Sequence, residues 1–535
     1  MSGPVRIARL AGWLAAGVSV FLPMPAVGQF SRWATFPLQY VDARVLPAGA
    51  LRIGFLPSYA NYSERFSADG TVEPLGADLT ADTLGSNLLV TLLSAEQAVR
   101  SATRDTTYRM TLGPIRTLLD ADVRRIPLDL ALGLSNGITL TARVSLVKTR
   151  MQAFVTLDST KGNVGWNQTT SQANNASGAA QIATLLSQLA AAIQSLSSRI
   201  AAGNYGCPGS ASCTPAMSTL ARAQVLLNSL TTLTPGAGAA TQVPVAPLSA
   251  SPAGTALRSE VTAVVAALQG LGVGPVGGSL VLPTKSLSAD NFQTLLGAPE
   301  FGYEARPLAT TDISRLGDTE VGLRVGLVQR PTLRLVLHGT VRLPTAARDS
   351  TAHLVDLGTG DGQFDAAVGL EAALETSGGL GLSAGAGFTR QFADDVTRRL
   401  ESGRPFPGSG EGQFRRDLGD VLQVSAYPSL RLSDAFRVFG SVYYFRKTSD
   451  SLEFLSSAVP GAAPAVLPAA AQRALYLGAG IHYRAERTAA ETVKLPVEAG
   501  LSYQAAFRGP GGMTPKTTML NLYLRLYYRV FGTGN

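Results

Sequence analysis

Leu520-Asn521-Leu522-Tyr523-Leu524-Arg525-Leu526-Tyr527-Tyr528-Arg529-Val530 decides the fold class. Leu520, Leu522, Leu524, Leu526, Tyr528 and Val530 share one parity, and Asn521, Tyr523, Arg525, Tyr527 and Arg529 share the other. A strand sends successive side chains to opposite faces, whereas a helix of period 3.6 cannot gather such a set on one side. An apolar face backed by Tyr, Asn and Arg fits a wall between lipid and a wet lumen.

The same alternation recurs upstream. Val321, Leu323, Val325 and Leu327 oppose Glu320, Gly322, Arg324 and Gly326. Leu333, Leu335, Leu337, Val341 and Leu343 oppose Arg334, His338, Thr340 and Arg342. Segments 363–374 and 379–391 repeat the pattern around Phe364, Val368, Leu370, Leu382 and Phe388. Strands are predicted near 50–62, 123–134, 138–156, 318–329, 332–344, 363–375, 379–391, 420–432, 435–446, 473–485, 493–506 and 517–531. The fold class is all-β: an antiparallel transmembrane β-barrel of about 12 strands, an even count as bacterial single-chain barrels have. In 138–156 the hydrophobic phase slips after Leu146, and a bulge at Val147-Lys148 is expected there.

Short connections at Ser135-Asn136-Gly137, Arg330-Pro331, Ser377-Gly378 and Ser433-Asp434 alternate with long ones near 63–120, 157–316, 345–361, 392–419 and 447–472. Short periplasmic turns and long external loops produce this asymmetry. Phe364, Phe388, Tyr444 and Tyr503 fall on the apolar parity near one set of strand ends, and Phe436, Tyr483 and Tyr528 near the other, as two interfacial girdles. A soluble sandwich also alternates, but its loops are usually alike at both ends.

Two loops carry helical patterns. Leu84, Leu88, Leu92, Ala95 and Val99 predict an amphipathic helix in the first. In the second, residues 167–283 hold four charges, Arg199, Arg222, Arg258 and Glu260. Ile182, Leu186, Leu189, Ile193, Leu196 and Ile200 step as a heptad seam. Leu220 to Leu230 and Leu257 to Leu271 predict two more helices. The organisation is a signal peptide at 1–28, three strands and a helical first loop at 29–156, an extracellular Ala/Ser/Leu-rich helical insert at 157–316, and nine strands at 317–535. The insert is read as a self-packed external unit, a plug or lid, or a contact surface for a partner.

Arg6 and Arg9, the apolar run Leu10–Leu22 and the small residues Ala26-Val27-Gly28 mark a secretory leader. Losing its two arginines lowers the net charge from +8 to +6. The remaining Arg and Lys are scattered rather than clustered, so nucleic acid is not an expected partner. Cys207 and Cys213, the only cysteines, are expected to close a local disulfide loop. Arg324, Arg334, His338, Arg342, Asp365, Glu371, Arg431, Arg437 and Arg525 take the lumen parity and are expected to line the interior, mostly in charge pairs.

No catalytic set, metal site or cofactor site is read. His338 and His482 fall on the lumen parity, away from the lipid face where an acyl hydrolase needs its Ser/His pair. Asp356, Asp361 and Asp365 flank Gly358-Thr359-Gly360-Asp361-Gly362, which lacks the Lys-Ser/Thr of a phosphate loop and reads as a Gly-rich strand entry rather than a calcium loop.

Gly317-Asp318-Thr319-Glu320-Val321-Gly322-Leu323, Arg342-Leu343-Pro344-Thr345 and Asp356-Leu357-Gly358-Thr359-Gly360-Asp361-Gly362-Gln363-Phe364-Asp365 resemble bacterial outer-membrane proteins of the meta-pathway phenol-degradation-like transporter family. The resemblance covers about half the chain. It implies a channel or transporter for small, hydrophobic or aromatic molecules, with no catalytic residues. It also implies outer-membrane lipids, the barrel-assembly machinery and a small hydrophobic ligand as partners. The alternatives are a structural or binding barrel that displays the insert, and an outer-membrane lipid hydrolase. The insert departs from the family's simple pattern, and so does the end Phe531-Gly532-Thr533-Gly534-Asn535, where such barrels commonly finish on an aromatic residue.

Overall fold

The computed structural model describes residues 43–235, 242–306, 308–401, 403–462, 464–466, 469–485, 497–510 and 513–531. The leader at 1–28, Lys494 and the last four residues lie outside them. Twelve antiparallel strands close on themselves. They are β1 (Ala50–Phe55 and Ser58–Tyr62), β2 (Ile115–Ser135), β3 (Ile138–Leu157) and β4 (Thr311–Leu316 and Thr319–Gln329). Then follow β5 (Leu333–Leu343), β6 (Asp365–Glu375), β7 (Leu380–Gln391) and β8 (Val421–Arg431). Last come β9 (Phe436–Lys447), β10 (Gln472–Ala485), β11 (Val497–Arg508) and β12 (Thr518–Arg529). Each pairs with its neighbours in sequence, and β12 closes on β1 from Ala50↔Arg529 to Phe55↔Leu524. Closure removes the sheet edges that lipid could not satisfy.

The exposed large apolar side chains trace the lipid face. Leu323, Leu337, Leu370, Leu382, Leu422, Ile481, Leu501 and Leu522 all point outward. Phe388 and Tyr503 edge this belt at one end, and Phe436, its ring tilted against that of Tyr483 with centroids 5.0 Å apart, edges it at the other.

β2 and β3 are longer than a membrane requires. They have 21 and 20 residues, whereas about 9–11 span a bilayer. β2 starts at Ile115 rather than near 123, so the first long loop ends earlier than its sequence indicated. The expected bulge at Val147 is absent. The β2–β3 register runs unbroken from Ile115↔Leu157 to Gly133↔Thr139 and shifts only at the turn, between Gly133 and Ser135. What inverts after Leu146 is the surroundings. Ile138, Leu140, Val144 and Leu146 face outward below that point, while Val147, Thr149 and Met151 are buried inward above it. The irregularity belongs to the facing strand. Leu146 pairs with Leu316 but Arg143 pairs with Glu320, so β4 carries one extra residue at Gly317-Asp318. β4 also begins at Thr311, inside the segment assigned to the insert.

The insert folds as α2 (Ala176–Ala201), α3 (Cys213–Leu233), α4 (Pro252–Gly270) and the short α5 (Ala289–Leu296), the last not foreseen. The first-loop helix α1 (Leu93–Thr103) is shorter than predicted, with Leu84 and Leu88 ahead of it. Local signals set the starts. Asn175 accepts the Gly178 amide (2.9 Å), Ser251 accepts that of Gly254 (3.1 Å) ahead of Pro252, and Ser288 and Asn291 form a capping box. The seams pack as read, with Ile182, Leu189, Leu196, Leu226, Leu230, Leu257, Val264 and Leu268 buried. α2 is long and apolar enough to cross a membrane, but here it packs on α3 and α4. Two of the four charges in 167–283 satisfy each other: Arg222 donates to both Glu260 oxygens at 2.6 Å, tying α3 to α4. Cys207 is disulfide-bonded to Cys213, the first residue of α3.

This bundle does not stand apart from the barrel. α1 packs on α3 and α4, and its core runs without a break into the inward residues Val421, Tyr443, Phe445, Tyr476 and Met519 at the long-loop end. Phe292 of α5 meets Phe406 of the β7–β8 loop edge-on at 5.5 Å. Arg399 of that loop donates to the carbonyls of Thr351 (2.9 Å) and Glu304 (2.8 Å), joining three long loops into one cap.

Candidate functional site

The inward parity builds three levels. At mid-height an ion-pair chain crosses six strands. Arg52 meets Asp129 at 2.9 Å, Asp129 meets Arg143 at 3.3 Å, and Arg143 meets Glu320 at 3.3 Å. Glu320 then meets Arg342 at 3.3 Å, which meets Asp365 at 3.0 Å. Arg324 grips Glu371 with both guanidinium ends, one at 3.0 Å, and His338 Nε2 lies 3.8 Å from the same carboxylate. Inward charges sheltered from water need such partners, since an unpaired one costs several kcal/mol by order of magnitude. The chain encloses a cavity of 240 Å³.

Toward the long-loop end the lining turns aromatic. Tyr443 lies 5.9 Å from Tyr476 there, whereas Tyr427 and Phe439, edge-to-face with centroids 6.2 Å apart, sit nearer the short-turn end, where Ser429 pairs with Phe439 and Arg431 with Arg437. The Tyr443 hydroxyl donates to Gln423 at 3.1 Å. The Tyr62 hydroxyl, 1% exposed, has no hydrogen-bond partner among the described residues. These rings were overlooked because the parity reading followed charge. The same parity that marks Arg437 also marks Phe439, Tyr443 and Phe445.

At the short-turn end, Glu375 meets Arg437 (2.6 Å), Arg431 (3.7 Å) and Arg334 (3.8 Å). Glu498 meets Arg484 (3.0 Å) and Arg525 (3.3 Å), and His482 Nδ1 contacts the Tyr523 hydroxyl. Residues 43–49, ahead of β1, fold into the barrel here. Ala43 is buried against Val336 and Ala373, and the Leu46 amide donates to Thr139 Oγ1 at 2.8 Å. No sequence signal pointed to this inner segment. Beside it lies a cavity of 590 Å³. All nine residues read as lumen-facing sit on inward positions, and five of them meet a cavity carboxylate: Arg324 and His338 at Glu371, and Arg334, Arg431 and Arg437 at Glu375.

The three sequence motifs meet at the β4 bulge. Asp318 accepts the amides of Ala346 and Asp361, each at 3.0 Å. Thr345 Oγ1 donates to the Gly317 carbonyl (2.9 Å), and Thr359 Oγ1 to that of Leu316 (2.9 Å). Thr149 Oγ1 reaches back to the Leu357 carbonyl at 2.7 Å. The motifs are therefore a latch that folds the β5–β6 loop inward. Beyond the latch, burial and then Asp349 push the Asp356 carboxyl up to about 7, against the donated Ser350 amide at 2.9 Å. Among the described residues, no three His, Cys, Asp or Glu side chains converge on a metal-sized site.

Residues 241–490 match the family model described as "Putative MetA-pathway of phenol degradation", a span from the middle of the insert, ahead of α4, through β10 that includes the three motifs of the latch. No curated protein matches the chain. Similar solved structures include an outer membrane channel from Pseudomonas putida F1 (8% identity, covering 92% of this chain and 100% of that one, TM-score 0.40). A FadL homologue of Pseudomonas aeruginosa follows (10%, 95% and 99%, TM-score 0.28), as does the Ralstonia pickettii toluene transporter TbuX (9%, 91% and 90%, TM-score 0.25). The barrel assignment rests on strand pairing and the apolar belt, not on these likenesses. The chain is a β-barrel of the outer-membrane type, and its residues 241–490 match the family model of that description.

Proposed function

We propose that this barrel is a channel for small molecules of apolar or aromatic character. The long-loop end, with the 157–316 insert, faces the cell exterior, and the insert serves as a lid. One observation carries the reading: the inward aromatic cluster around Tyr443, Phe445 and Tyr476 is continuous with the lid's apolar core, above a lumen that narrows to a 240 Å³ polar cavity. An aromatic solute entering under the lid meets ring faces first. It then meets Arg324, His338, Arg342, Asp365 and Glu371, whose charges are mutually engaged and so bind a neutral solute weakly. Outer-membrane lipid and the barrel-assembly machinery are the expected partners. A lipid hydrolase is disfavoured, because His338 and His482 engage Glu371 and Tyr523 inside the barrel.

The test is conductance and phenol flux across planar bilayers and liposomes, for the full chain and a deletion of 167–283. Folding of each is checked by heat-modifiable mobility. The lid reading expects low conductance from the full chain and a rise on deletion. Silence from both folded barrels sinks the channel and leaves a barrel that displays its helical bundle.

A further inference from the structure

The outer wall carries a group of cations that the channel reading does not use. Arg446 of β9 and Arg473 of β10 are direct register partners, and Arg508 at the end of β11 stands opposite Leu475, two residues from Arg473. All three are exposed and take the outward parity, beside Tyr444, Leu475 and Phe507. Phe507 is the extra residue of a bulge opposite Leu475 and Tyr476, and both it and Arg508 are exposed. Like charges directly opposed across a ladder repel, and among the described residues no carboxylate meets any of the three. Arg473 Nε donates to the Pro510 carbonyl at 3.3 Å, and its two terminal nitrogens make no further bond among these residues. The carboxylates of the neighbouring loops are engaged elsewhere: Asp417 and Asp420 with Arg390, and Asp450 with Lys447. Below this trio, on the same three strands, the lipid face is hollow. Gly440 and Ala479, register partners, bring little bulk to the outward side, and with Pro428, Ile481 and Tyr503 they line a cleft of 820 Å³. Gly440 lies six residues down β9 from Arg446, about 20 Å along the strand. At the usual tilt that is about 15 Å of depth, one leaflet of a ~30 Å hydrocarbon core.

We propose that this face of β9, β10 and β11 is a binding site for a lipid whose headgroup ends in a phosphate monoester. The phosphate sits on Arg446, Arg473 and Arg508, and an acyl chain occupies the cleft below. A phosphate monoester carries a charge of about −1.5 to −2 and three acceptor oxygens, and forked guanidiniums match those oxygens in pairs. Placed between Arg446 and Arg473, it replaces their repulsion with two attractions. A phosphodiester offers the same three cations one charge and two free oxygens, a poorer match. Position selects a lipid over a soluble phosphate. The trio stands just above the aromatic edge of the apolar belt, at Tyr444 and Tyr503, which is headgroup level, and the apolar cleft offers nothing to a soluble ion. The site lies on the outer wall, apart from the lumen, so it goes beyond the channel reading and requires only that the barrel stand in a membrane.

The experiment is lipid retention by the purified full-length barrel in neutral detergent, read by native mass spectrometry. Phosphatidic acid is the probe, phosphatidylglycerol the diester with the same tails, phosphatidylcholine the zwitterionic control and inorganic phosphate the soluble competitor. Phosphatidic acid is expected to be retained at least ten-fold more than phosphatidylcholine and about three-fold more than phosphatidylglycerol, and to resist inorganic phosphate at equal concentration. The double substitution Arg446→Gln, Arg473→Gln is expected to lower retention about ten-fold, with heat-modifiable folding unchanged because neither side chain serves a carboxylate. Arg390→Gln, at an outward arginine paired with Asp420, is expected to change nothing. Gly440→Leu is expected to lower retention about three-fold by filling the cleft. A Cβ there meets only Pro428 at 3.5 Å and the Gly478 carbonyl at 4.0 Å, so the fold accepts it. The proposal is overturned by equal retention of phosphatidic acid and either other lipid, or by a double variant or a Gly440→Leu barrel that retains it like the parent. Equal loss in Arg390→Gln would reduce the effect to general surface charge and overturn it. Displacement by inorganic phosphate would make the trio a soluble-anion site and overturn it as well. Retention in detergent is independent of conduction, so a silent barrel that keeps phosphatidic acid loses the channel and keeps the site.

Discussion

Below Ile126 and Leu146, which face each other across the β2–β3 ladder, the hairpin is apolar outside and polar inside. Leu128, Leu130, Leu140 and Val144 meet lipid, while Asp129 and Arg143 pair within. Above those two residues the order is reversed. Ile115, Leu119, Val123, Val147 and Met151 are buried inward under the cap, and Arg116, Asp120, Asp122, Lys148 and Arg150 face outward. Outward ion pairs such as Lys148–Asp312 (2.9 Å) and Arg116–Asp82 (2.6 Å) belong in water. The backbone is the same throughout; what changes is the solvent on each side. An apolar phase is thus a record of surroundings, and it inverts where a strand leaves the bilayer for a protein-filled cap.

Substitutions at matched heights test this contrast. The largest effect is expected from Met151→Ala, which empties a fully buried inward site and costs about 2–5 kcal/mol. Hydrogen exchange should place that loss in the cap, with the lower barrel still protected; uniform deprotection would mean that the two halves are one unit. Next, Leu130→Arg puts a charge on the lipid side near mid-height, at about 2–4 kcal/mol, read by urea titration in liposomes. Asp318→Ala removes two amide acceptors at the latch, at about 1–3 kcal/mol. Faster exchange at the Ala346 and Asp361 amides is its signature, and unaltered exchange there would dismiss the latch.

A smaller effect follows pH. Asp356 has its carboxyl raised to about 7 in the fold, chiefly by burial, so the folded loop holds a proton more tightly than the unfolded chain does. Its stabilising contribution is complete below the unfolded carboxyl pKa of about 4, and is lost as pH rises through 7. Protection of 344–364, corrected for intrinsic rates, should fall between pH 5 and pH 8, and Asp356→Asn should flatten that fall. The smallest effect belongs to Leu118→Arg. This residue points outward like Leu130 but lies above the inversion, and a change within about 0.5 kcal/mol is expected. A cost equal to that of Leu130→Arg would put Leu118 in lipid and break the comparison.

Much of the wall was legible because a strand's two faces are written every second residue. Leu520 to Val530 carry that record without interruption, and so do Val321 to Leu327. The inversion was legible as a slip at Leu146 but open to misreading. One chain shows only that the pattern changes; the cause, a backbone bulge or a new solvent, lies in the neighbours. The bulge expected at Val147-Lys148 is absent, and the extra residue lies at Gly317-Asp318 on the facing strand. The helices α2, α3 and α4 were legible from their seams; α5 and the caps at Asn175, Ser251 and Ser288 went unread, because a single Asn or Ser marks a helix start only once the helix behind it is known. The inner segment at 43–49 was not, because a short Arg-Val-Leu-Pro run reads alike inside a lumen or outside it.

The sequence alone determined twelve strands, the face each residue takes, the disposition of long and short connections, and the helical nature of the insert. All of these are local and periodic. Only the tertiary structure decided that Glu375 serves three arginines, that Asp318 holds a loop 28 residues ahead through the Ala346 amide, and that the insert shares one core with Tyr443 and Tyr476. Such contacts depend on which strands closure brings together and how far each rises above the bilayer. Those distances are set by the whole barrel and by no single segment of it.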